Sequence, residues 1–598
     1  MGRKWRWFGV ALVASGTGLI AAACSPNGEE VGSGQQPAPA EITTDEFVQR
    51  ADAVCMPNVP PVPNLASYGM DIVTGRFRHP LATPHQHEPQ PFDGELEDWD
   101  TNEYIDNMTV EAYYPDTVEP FHTWQNIVDF DGQRYLYQYV RRDMKIFNIT
   151  DPKDVSVVRE KGHPWGPNGP GNEVNPFESG DMFGAASIQW NDKLDTYVMV
   201  QAFEVQRFGV IDDKRTDPAG VARHRNADHL KGFKVYAMHG PMPEEWELLA
   251  AVTTDVDHPE APIGQQQGSG VRDIPTYFGG QYMFVAAAPD ATYALTEYPT
   301  DLYSAGYQAW DMSDPAHPVF VGQFTAPGQR LGDEDAYKQN PRCGNRTSWF
   351  GARMSIFVPT PVEDGGRYGY GAMGGLGFYV FDISDPANIE AVGHLDFPPS
   401  VAGTEGDNID VSQVERTGIV YYSGYPLAED CWEPYKDVYM IDVRDPAKPS
   451  IRGTLPRPVP PEIAPFTDYC QRRGSFGPKR SGYYTQPGTG REGVLPYAFY
   501  NAGVQIFDVS GPSDPTIVAY FVPRFDTERV PDYARGNLAH GIYVEYDRNL
   551  IWLFVNHGIY VLSTPVLGEP SFEAPAHPWP PRKRASREEP VTLTKMAN

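Results

Sequence analysis

Histidines are the residues of this sequence whose types and spacing most directly suggest chemistry. Pro84-His85-Gln86-His87-Glu88 places two imidazoles and one carboxylate within four residues, and His224 and His229 stand close together further along. Imidazole and carboxylate groups at this spacing can hold copper or zinc on an extended loop. A His-x-His pair in a proline-rich segment is more often exposed to solvent. Metal binding by His85, His87, His224 and His229 is therefore the less favoured of the two interpretations.

Motifs of the common enzyme classes do not support catalysis. The sequence has no HExxH zinc-protease motif, no GxSxG nucleophile elbow, no P-loop, and no GxGxxG in a strand-to-helix context. We therefore name no catalytic residue. The sequence favours a protein without catalytic activity and leaves a metal-dependent enzyme as the alternative.

The net charge of the chain limits the classes of partner that it can bind. The chain carries a formal charge of −31 at pH 7. An acidic surface repels phosphate backbones, so we expect no nucleic-acid partner. Calcium or a basic partner is compatible with this charge, but a solvated surface is the simpler explanation. No cofactor can be assigned, and calcium, copper and zinc are the candidate ions.

The first 44 residues are typical of an export signal and a tether. Arg3, Lys4 and Arg6 precede an apolar run at residues 8–23, which has signal-peptide length. The run ends in Ala21-Ala22-Ala23-Cys24, which resembles a bacterial lipobox and implies lipidation of Cys24. An ordinary signal peptide cut near residue 23 is the alternative. Residues 25–44 have the composition of a flexible tether. The resemblance to Gram-negative lipoprotein sorting signals, with Ser25 rather than Asp after the cysteine, implies the outer membrane of the cell envelope.

Four cysteines remain once Cys24 is set aside. They are Cys55, Cys343, Cys431 and Cys470. In an exported protein an even number indicates disulfides, and three connectivities are compatible with four cysteines. No pair has the CxxC spacing of a structural zinc site.

One short motif recurs seven times along the chain and indicates its fold. Its copies begin at Asp143, Gly232, Gly306, Gly377, Asp437, Gly503 and Gly558. Each continues with β-branched or aromatic residues, which suit a buried strand. Most end in Asp, an apolar residue and Ser/Thr-Asp-Pro. This ending predicts a turn, because Pro has no N–H for the hydrogen bonds between strands and the Asp side chain can bond nearby backbone groups.

Strand-like segments flank each motif, so each unit has four strands, the composition of a propeller blade. Further first strands are predicted at residues 354–358 and 409–414. The predicted blades span residues 125–161, 185–254, 277–327, 350–397, 408–457, 480–523 and 539–565. The seventh lacks a clear fourth strand, and residues 105–122 are candidates to supply it. Residues 45–124 are therefore expected to pack on and close the propeller at 125–565, and residues 566–598 form a Pro-rich, charged tail.

The motif resembles the LVIVD repeat of bacterial and archaeal surface proteins. Gly377-Phe-Tyr-Val-Phe-Asp-Ile-Ser-Asp-Pro386 shows the likeness best. The resemblance covers roughly residues 125–565 and implies an all-β, seven-bladed β-propeller. It implies no shared activity.

Long connections gather on one predicted face, opposite the Asp-Pro turns. Insertions in repeat proteins usually mark the binding face. Polar residues at the inner ends of these connections are the candidate ligand-binding residues: Asp181, Arg346, Arg353, Glu405, Asp407 and His540. Cys343, Cys431 and Cys470 also reach this face. We therefore favour the pairs Cys431–Cys470 and Cys55–Cys343, the second strapping the N-terminal segment over the face.

Three hypotheses for function follow. The favoured one is a lipid-anchored, non-catalytic protein that binds or scaffolds a protein, glycan or small ligand at the cell envelope, with its N-terminal lipid in the membrane. The alternative is a copper- or zinc-dependent propeller oxidase or hydrolase. It requires several histidines near the central channel to converge, from the set His85, His87, His224, His229, His540 and His557. A third hypothesis is a self-associating coat component without a ligand.

Overall fold

The fold is an all-β, seven-bladed propeller. A computed structural model describes residues 98–116, 123–140, 143–159, 185–203, 230–262, 265, 269–288, 305–327, 329, 351–352, 354–397, 404–426, 435–482, 490–511, 513–530, 535–536 and 538–573. Seven antiparallel sheets follow one another along the chain, which confirms the predicted fold class. Within the described residues, no helix is long and apolar enough to cross a membrane.

Two strands precede the first complete sheet, β1 (Tyr104–Asp106) and β2 (Thr109–Pro115). Blades one to three then follow, each with four strands in chain order. Blade one contains β3 (Thr123–Phe130), β4 (Gln133–Val140), β5 (Asp143–Asn148) and β6 (Ser156–Arg159). Blade two contains β7 (Ala186–Asn191), β8 (Thr196–Phe203), β9 (Gly232–Met238) and β10 (Trp246–Thr253). Blade three contains β11 (Gly270–Tyr277), β12 (Tyr282–Ala288), β13 (Gly306–Asp311) and β14 (Val319–Phe324).

The remaining blades continue the pattern. Blade four contains β15 (Tyr368–Ala372), β16 (Phe378–Asp382) and β17 (Glu390–Leu395). Blade five contains β18 (Thr404–Asp410), β19 (Ile419–Tyr425), β20 (Val438–Asp442) and β21 (Ser450–Thr454). Blade six contains β22 (Arg480–Ser481), β23 (Val494–Ala498), β24 (Val504–Asp508) and β25 (Thr516–Val522). Blade seven contains β26 (Ala539–Glu545), β27 (Leu550–Val555) and β28 (Gly558–Ser563).

The N-terminal strands complete the last two blades. β2 pairs antiparallel with β28 and is the outer, fourth strand of blade seven. It lies within the range 105–122 that the sequence offered for this role. β1 pairs with β25 and adds a fifth strand to blade six, which the sequence did not suggest. The ring therefore closes by pairing a strand from near residue 110 with one from near residue 560.

A β-bulge marks the outer strand of every blade. The register shifts between two neighbouring positions in each pairing of the third with the outer strand. A small residue follows the bulged position in six of the seven blades: Ala112, Ala250, Gly322, Gly393, Gly453 and Ala519. At two of these positions the reason is close contact, since a Cβ at Gly393 would lie 2.0 Å from the Pro446 carbonyl oxygen of the next blade's turn, and one at Gly322 would lie 2.4 Å from the Pro386 carbonyl oxygen. β2 carries the same bulge, so it has the geometry of a true fourth strand.

The Asp-Pro turns are held by their own side chains. A first side chain accepts a hydrogen bond from the backbone N–H two residues on, at 2.7–3.0 Å, in five blades: Asn148, Asp311, Asp382, Asp442 and Asp508. The Asp before Pro repeats this bond in four of them: Asp151, Asp314, Asp385 and Asp445. Tandem turns of this kind need no ligand for their stability.

Two predicted first strands differ from the structure. Residues 354–358 make only a single bridge, between Phe357 and Tyr370, because Pro359 and Pro361 follow and lack the N–H groups that a strand requires. The strand predicted for residues 409–414 ends earlier in the structure. β18 ends at Asp410, whose carboxylate accepts from the Ser412 backbone N–H at 2.8 Å, and a helical turn, Val414–Thr417, follows.

Short helical turns and the chain end complete the fold. Single 3₁₀ turns occur at Pro243–Glu245, Val362–Asp364 and Pro386–Asn388. Leu567 is fully buried in the core beside blade seven, and Phe572 packs on a second apolar cluster. The packed body therefore extends through residue 573, beyond the start of the predicted tail at 566.

Candidate binding face

The two faces of the propeller differ in their connections. We call the face with the connections after each second and fourth strand the loop face, and the opposite one the turn face. Loop-face connections include residues 204–231, 289–305 and 455–479, whereas turn-face connections are mostly the short Asp-Pro and hairpin turns. The first strands of neighbouring blades lie side by side around the centre. Their N-terminal ends therefore surround the central channel at the loop face.

Most predicted site residues lie outside the described residues. These are Asp181, Arg346, Arg353, the side chain of Glu405, and the four histidines His85, His87, His224 and His229. Cys24, Cys55, Cys343 and Cys431 also lie outside them. Cys470 is described, is fully buried and is disulfide-bonded. The proposed pairing of the cysteines stays a prediction.

Asp407 forms a buried ion pair across two blades. Its Oδ2 lies 3.7 Å from Nζ of Lys479, and neither side chain has any exposed surface. The Lys479 ammonium also lies 3.5 Å from the ring centre of Tyr425. Opposite charge and the aromatic face both stabilise a buried ammonium. Asp407 was a ligand candidate from the sequence, whereas Lys479, at the end of a long connection with no recognisable pattern, was not.

Neighbouring contacts join blades four, five and six at the same level. Nη1 of the buried Arg480 lies 3.1 Å from Sδ of Met354. The side-chain oxygen of Asn408 accepts from the Ser481 N–H at 3.2 Å and from the Tyr497 hydroxyl at 3.1 Å. The described side chains at the inner end of blades four to six, including Asn408 and Arg480, are therefore buried and bonded across the blades.

Irregular pairing marks the loop-face ends of three first strands. The register of β11 shifts between Arg272 and Thr276, that of β18 between Thr404 and Asn408, and that of β26 between Ala539 and Gly541. Asp273 within the first irregularity has φ of +53°. Bulges re-aim side chains and are common beside functional sites. The residues they re-aim include Asp407 and His540, two of the sequence candidates.

Two histidines of the candidate set, His540 and His557, are described, and they have different roles. His540 is largely buried, and its ring lies edge-on to Tyr500 at 5.5 Å between ring centres. His557 sits in the tight turn between β27 and β28. Its Nε2 donates to the Arg524 carbonyl at 3.0 Å, and its Nδ1 lies 2.7 Å from the Tyr113 hydroxyl on β2. Both ring nitrogens of His557 therefore bind protein groups at the point where the ring closes.

Burial sets the charge of His557. Desolvation lowers the pKa of its imidazole from 6.5 to about 4, and the nearby Arg524 and Arg529 act in the same direction. The imidazole is therefore neutral at neutral pH, which suits a hydrogen-bond acceptor at Nδ1. Among the described residues, no three His, Cys, Asp or Glu side chains are grouped closely enough to hold a metal ion.

The N-terminal segment is anchored to the loop face by a buried ion pair. Nε of Arg472, in the 455–479 connection, donates to Oδ2 of Asp100 at 2.8 Å, and both side chains are almost completely buried. Arg472 also donates to the Pro523 carbonyl at 2.7 Å. Trp99 packs edge-on against Phe525 at 4.8 Å between ring centres. This contact holds the chain beside blade six just before β1 and β2 begin.

Part of the chain is similar to a known repeat family. The LVIVD repeat model matches residues 365–396. The match contains β15, β16, the Asp-Pro turn and β17 of blade four, the strand-turn-strand unit that the sequence motif had indicated. No curated protein matches the chain.

Proposed function

We propose that this LVIVD-repeat propeller is an exported, lipid-anchored protein that binds or scaffolds a ligand at the cell envelope without catalysing a reaction. The observation that carries the proposal is the difference between the two faces. The turn face holds mostly short turns, and the first side chains of five of them accept local hydrogen bonds at 2.7–3.0 Å. The loop face holds the long connections, and insertions on one face of a repeat fold are typical of binding.

The loop face is also the better-supported platform. The connection at 455–479 is tied down by the disulfide-bonded Cys470 and by the Arg472–Asp100 ion pair. A rigid loop loses little conformational entropy when it binds a partner, so anchoring of this kind favours recognition. The ligand classes compatible with the face are a protein, a glycan or a small polar molecule.

The alternative metal enzyme receives no support from the histidines that can be placed. His557 uses both ring nitrogens in hydrogen bonds that close the ring, at 2.7 and 3.0 Å. His540 packs against Tyr500. We therefore propose no reaction.

The anchor is tested by mass spectrometry of the N-terminal peptide from the protein expressed in a Gram-negative host. We expect a diacylglyceryl group on Cys24, and loss of membrane association in Cys24→Ser. An unmodified N-terminus at a neighbouring residue, with the protein free in the periplasm, would contradict the anchor.

Binding is tested by hydrogen exchange of the full chain with purified envelope polysaccharides and peptidoglycan fragments as probes. A probe that binds should protect amides in the 455–479 and 523–530 connections and leave the turn at 382–390 unchanged. Protection confined to the turn-face segments would overturn the assignment of the loop face.

A further inference from the structure

Lys479 and Asp407 place an amine and a carboxyl group together in a site that is closed to solvent. Neither side chain has any exposed surface, and Nζ of the lysine lies 3.7 Å from Oδ2 of the aspartate. In the pair Lys145–Asp116, by contrast, the lysine side chain is 20% exposed and the aspartate side chain is 12% exposed. The buried pair therefore holds the two reactants of an amide bond where bulk water cannot hydrate them.

The backbone on both sides of this pair is held by hydrogen bonds between strands. Asp407 belongs to β18 of blade five, and Lys479 directly precedes β22 of blade six. The Lys479 N–H donates to the Ala498 carbonyl at 2.8 Å. Beside Asp407, the Asn408 side chain accepts from the Ser481 N–H at 3.2 Å. Reactants held in this way reach effective molarities of about 10⁵–10⁸ M when they are well oriented, so the fold supplies the proximity that free amines and carboxylic acids lack.

The surroundings favour a product without charge. Burial of an ammonium and a carboxylate has a large desolvation penalty, and it favours the neutral amine and the neutral acid. The ring of Tyr425, whose centre lies 3.5 Å from Nζ of Lys479, forms one wall of the site. An amide between the two side chains would carry no charge, so its formation removes both desolvation penalties.

Proton transfer can be served by two groups in the same seam between blades five and six. Burial raises the pKa of the Asp410 carboxyl, so this group takes up a proton more readily than an exposed aspartate does. Burial also raises the pKa of the Tyr497 hydroxyl, and the charges of Asp410 and Asp407 act in the same direction. Tyr497 is therefore a neutral hydroxyl near both carboxyl groups, and such a hydroxyl can relay protons between them.

We propose that Lys479 and Asp407 condense to an isopeptide bond that links blade six to blade five. The Lys479 ammonium passes one proton to the Asp407 carboxylate, which gives a neutral amine and a neutral acid. The nitrogen lone pair attacks Cγ and forms the N–C bond. The bond from Cγ to the hydroxyl oxygen breaks, and the hydroxyl leaves as water with a second proton from the nitrogen. The ion pair contains every atom of the amide and the water, so no further reactant is needed.

The bond would join two positions that are distant in the chain. It closes a covalent loop that contains β19, β20, β21 and the whole 455–479 connection. A crosslink of this kind stabilises a fold mainly by restricting the unfolded chain. It also fixes the end of the connection that lies beside the central channel. The bond does not depend on what the loop face binds.

Peptide mass spectrometry of the purified full-length chain, after reduction and proteolysis, tests the proposal. We expect a branched peptide that carries residues 407 and 479 and is one water lighter than its two linear peptides together. Lys479→Arg and Asp407→Ala should abolish this peptide and lower the urea midpoint of unfolding. Asp407→Asn should still give the same branched peptide, because the side-chain amide can lose ammonia in place of water. The Lys145–Asp116 pair is the matched control and should give linear peptides only.

Three results would overturn the isopeptide bond. The first is a wild-type chain that trypsin cleaves after Lys479 and that yields the linear peptides alone. The second is a branched peptide of the same mass in Lys479→Arg, which would place the link at another residue. The third is an equal yield of a branched peptide from Lys145 and Asp116, which would show that the link arises during sample handling.

Discussion

Ring closure should depend on pH through His557. The imidazole has a pKa of about 4 in the folded protein and about 6.5 when exposed. This difference corresponds to about 3 kcal/mol, at about 1.4 kcal/mol for each tenfold change in the equilibrium constant. The unfolded chain takes up the proton first as the pH falls. The contribution of His557 to stability is therefore complete above pH 6.5, decreases between 6.5 and 4, and is absent below 4.

The assay is the free energy of unfolding in urea, measured at several pH values for the wild type and for His557→Gln. Carboxylates titrate in both proteins, so their contribution cancels in the difference between the two curves. We expect the advantage of the wild type to shrink by about 3 kcal/mol between pH 7.5 and pH 4. His317→Gln is the matched control, because the His317 side chain is 81% exposed on the turn face. A His557→Gln difference that stays constant with pH would refute the reasoning.

Three further predictions concern stability, each measured by urea denaturation. Arg134 is fully buried and ion-paired to three carboxylates at the seam of blades one and seven. Arg134→Gln should therefore lower the free energy of unfolding by about 3–5 kcal/mol, whereas Arg416→Gln, at an exposed position, should lower it by less than about 1 kcal/mol. Equal losses of stability in the two variants would contradict this prediction. Gly393→Ala forces a Cβ against a neighbouring carbonyl and should lower the free energy of unfolding by about 1–3 kcal/mol. The Cβ of Gly511→Ala meets open space, so this control should change stability by less than about 0.5 kcal/mol. Unchanged stability in Gly393→Ala would show that the next blade can shift. Arg472→Met leaves the buried Asp100 carboxylate without its ion-pair partner and should lower the free energy of unfolding by about 3 kcal/mol. The same variant should expose residues 98–106 to limited proteolysis. An unchanged cleavage pattern would show that β1 stays paired without the ion pair.

The repeat made most of the fold predictable. The third strands and Asp-Pro turns were readable because their physics is local: β-branched residues favour strands, and Asp and Pro fix the turn through bonds to residues two positions away. The motif copies that begin at Gly232, Gly306 and Gly558 coincide with the starts of β9, β13 and β28. Blade four shows the limit, because Pro359 and Pro361 reduce its first strand to a single bridge.

The site was far less predictable, because its contacts join residues distant in the chain. The partner of Asp407 is Lys479, brought beside it only when blades five and six pack together. The hydrogen bond of His557 to Tyr113 spans 444 positions and exists only because β2 closes the ring. A small residue follows the outer-strand bulge in six of the seven blades, and this overlooked signal can be found by aligning the repeats.

Metal content separates a binding protein from a metal enzyme most directly. The measurement is elemental analysis of the full-length protein, purified from its expression host without added metal and without chelators. The proposed function predicts copper and zinc far below one equivalent per chain. One equivalent of copper or zinc, retained through purification and lost together in variants of His85, His87, His224 and His229, would contradict it and would place a metal centre on this propeller.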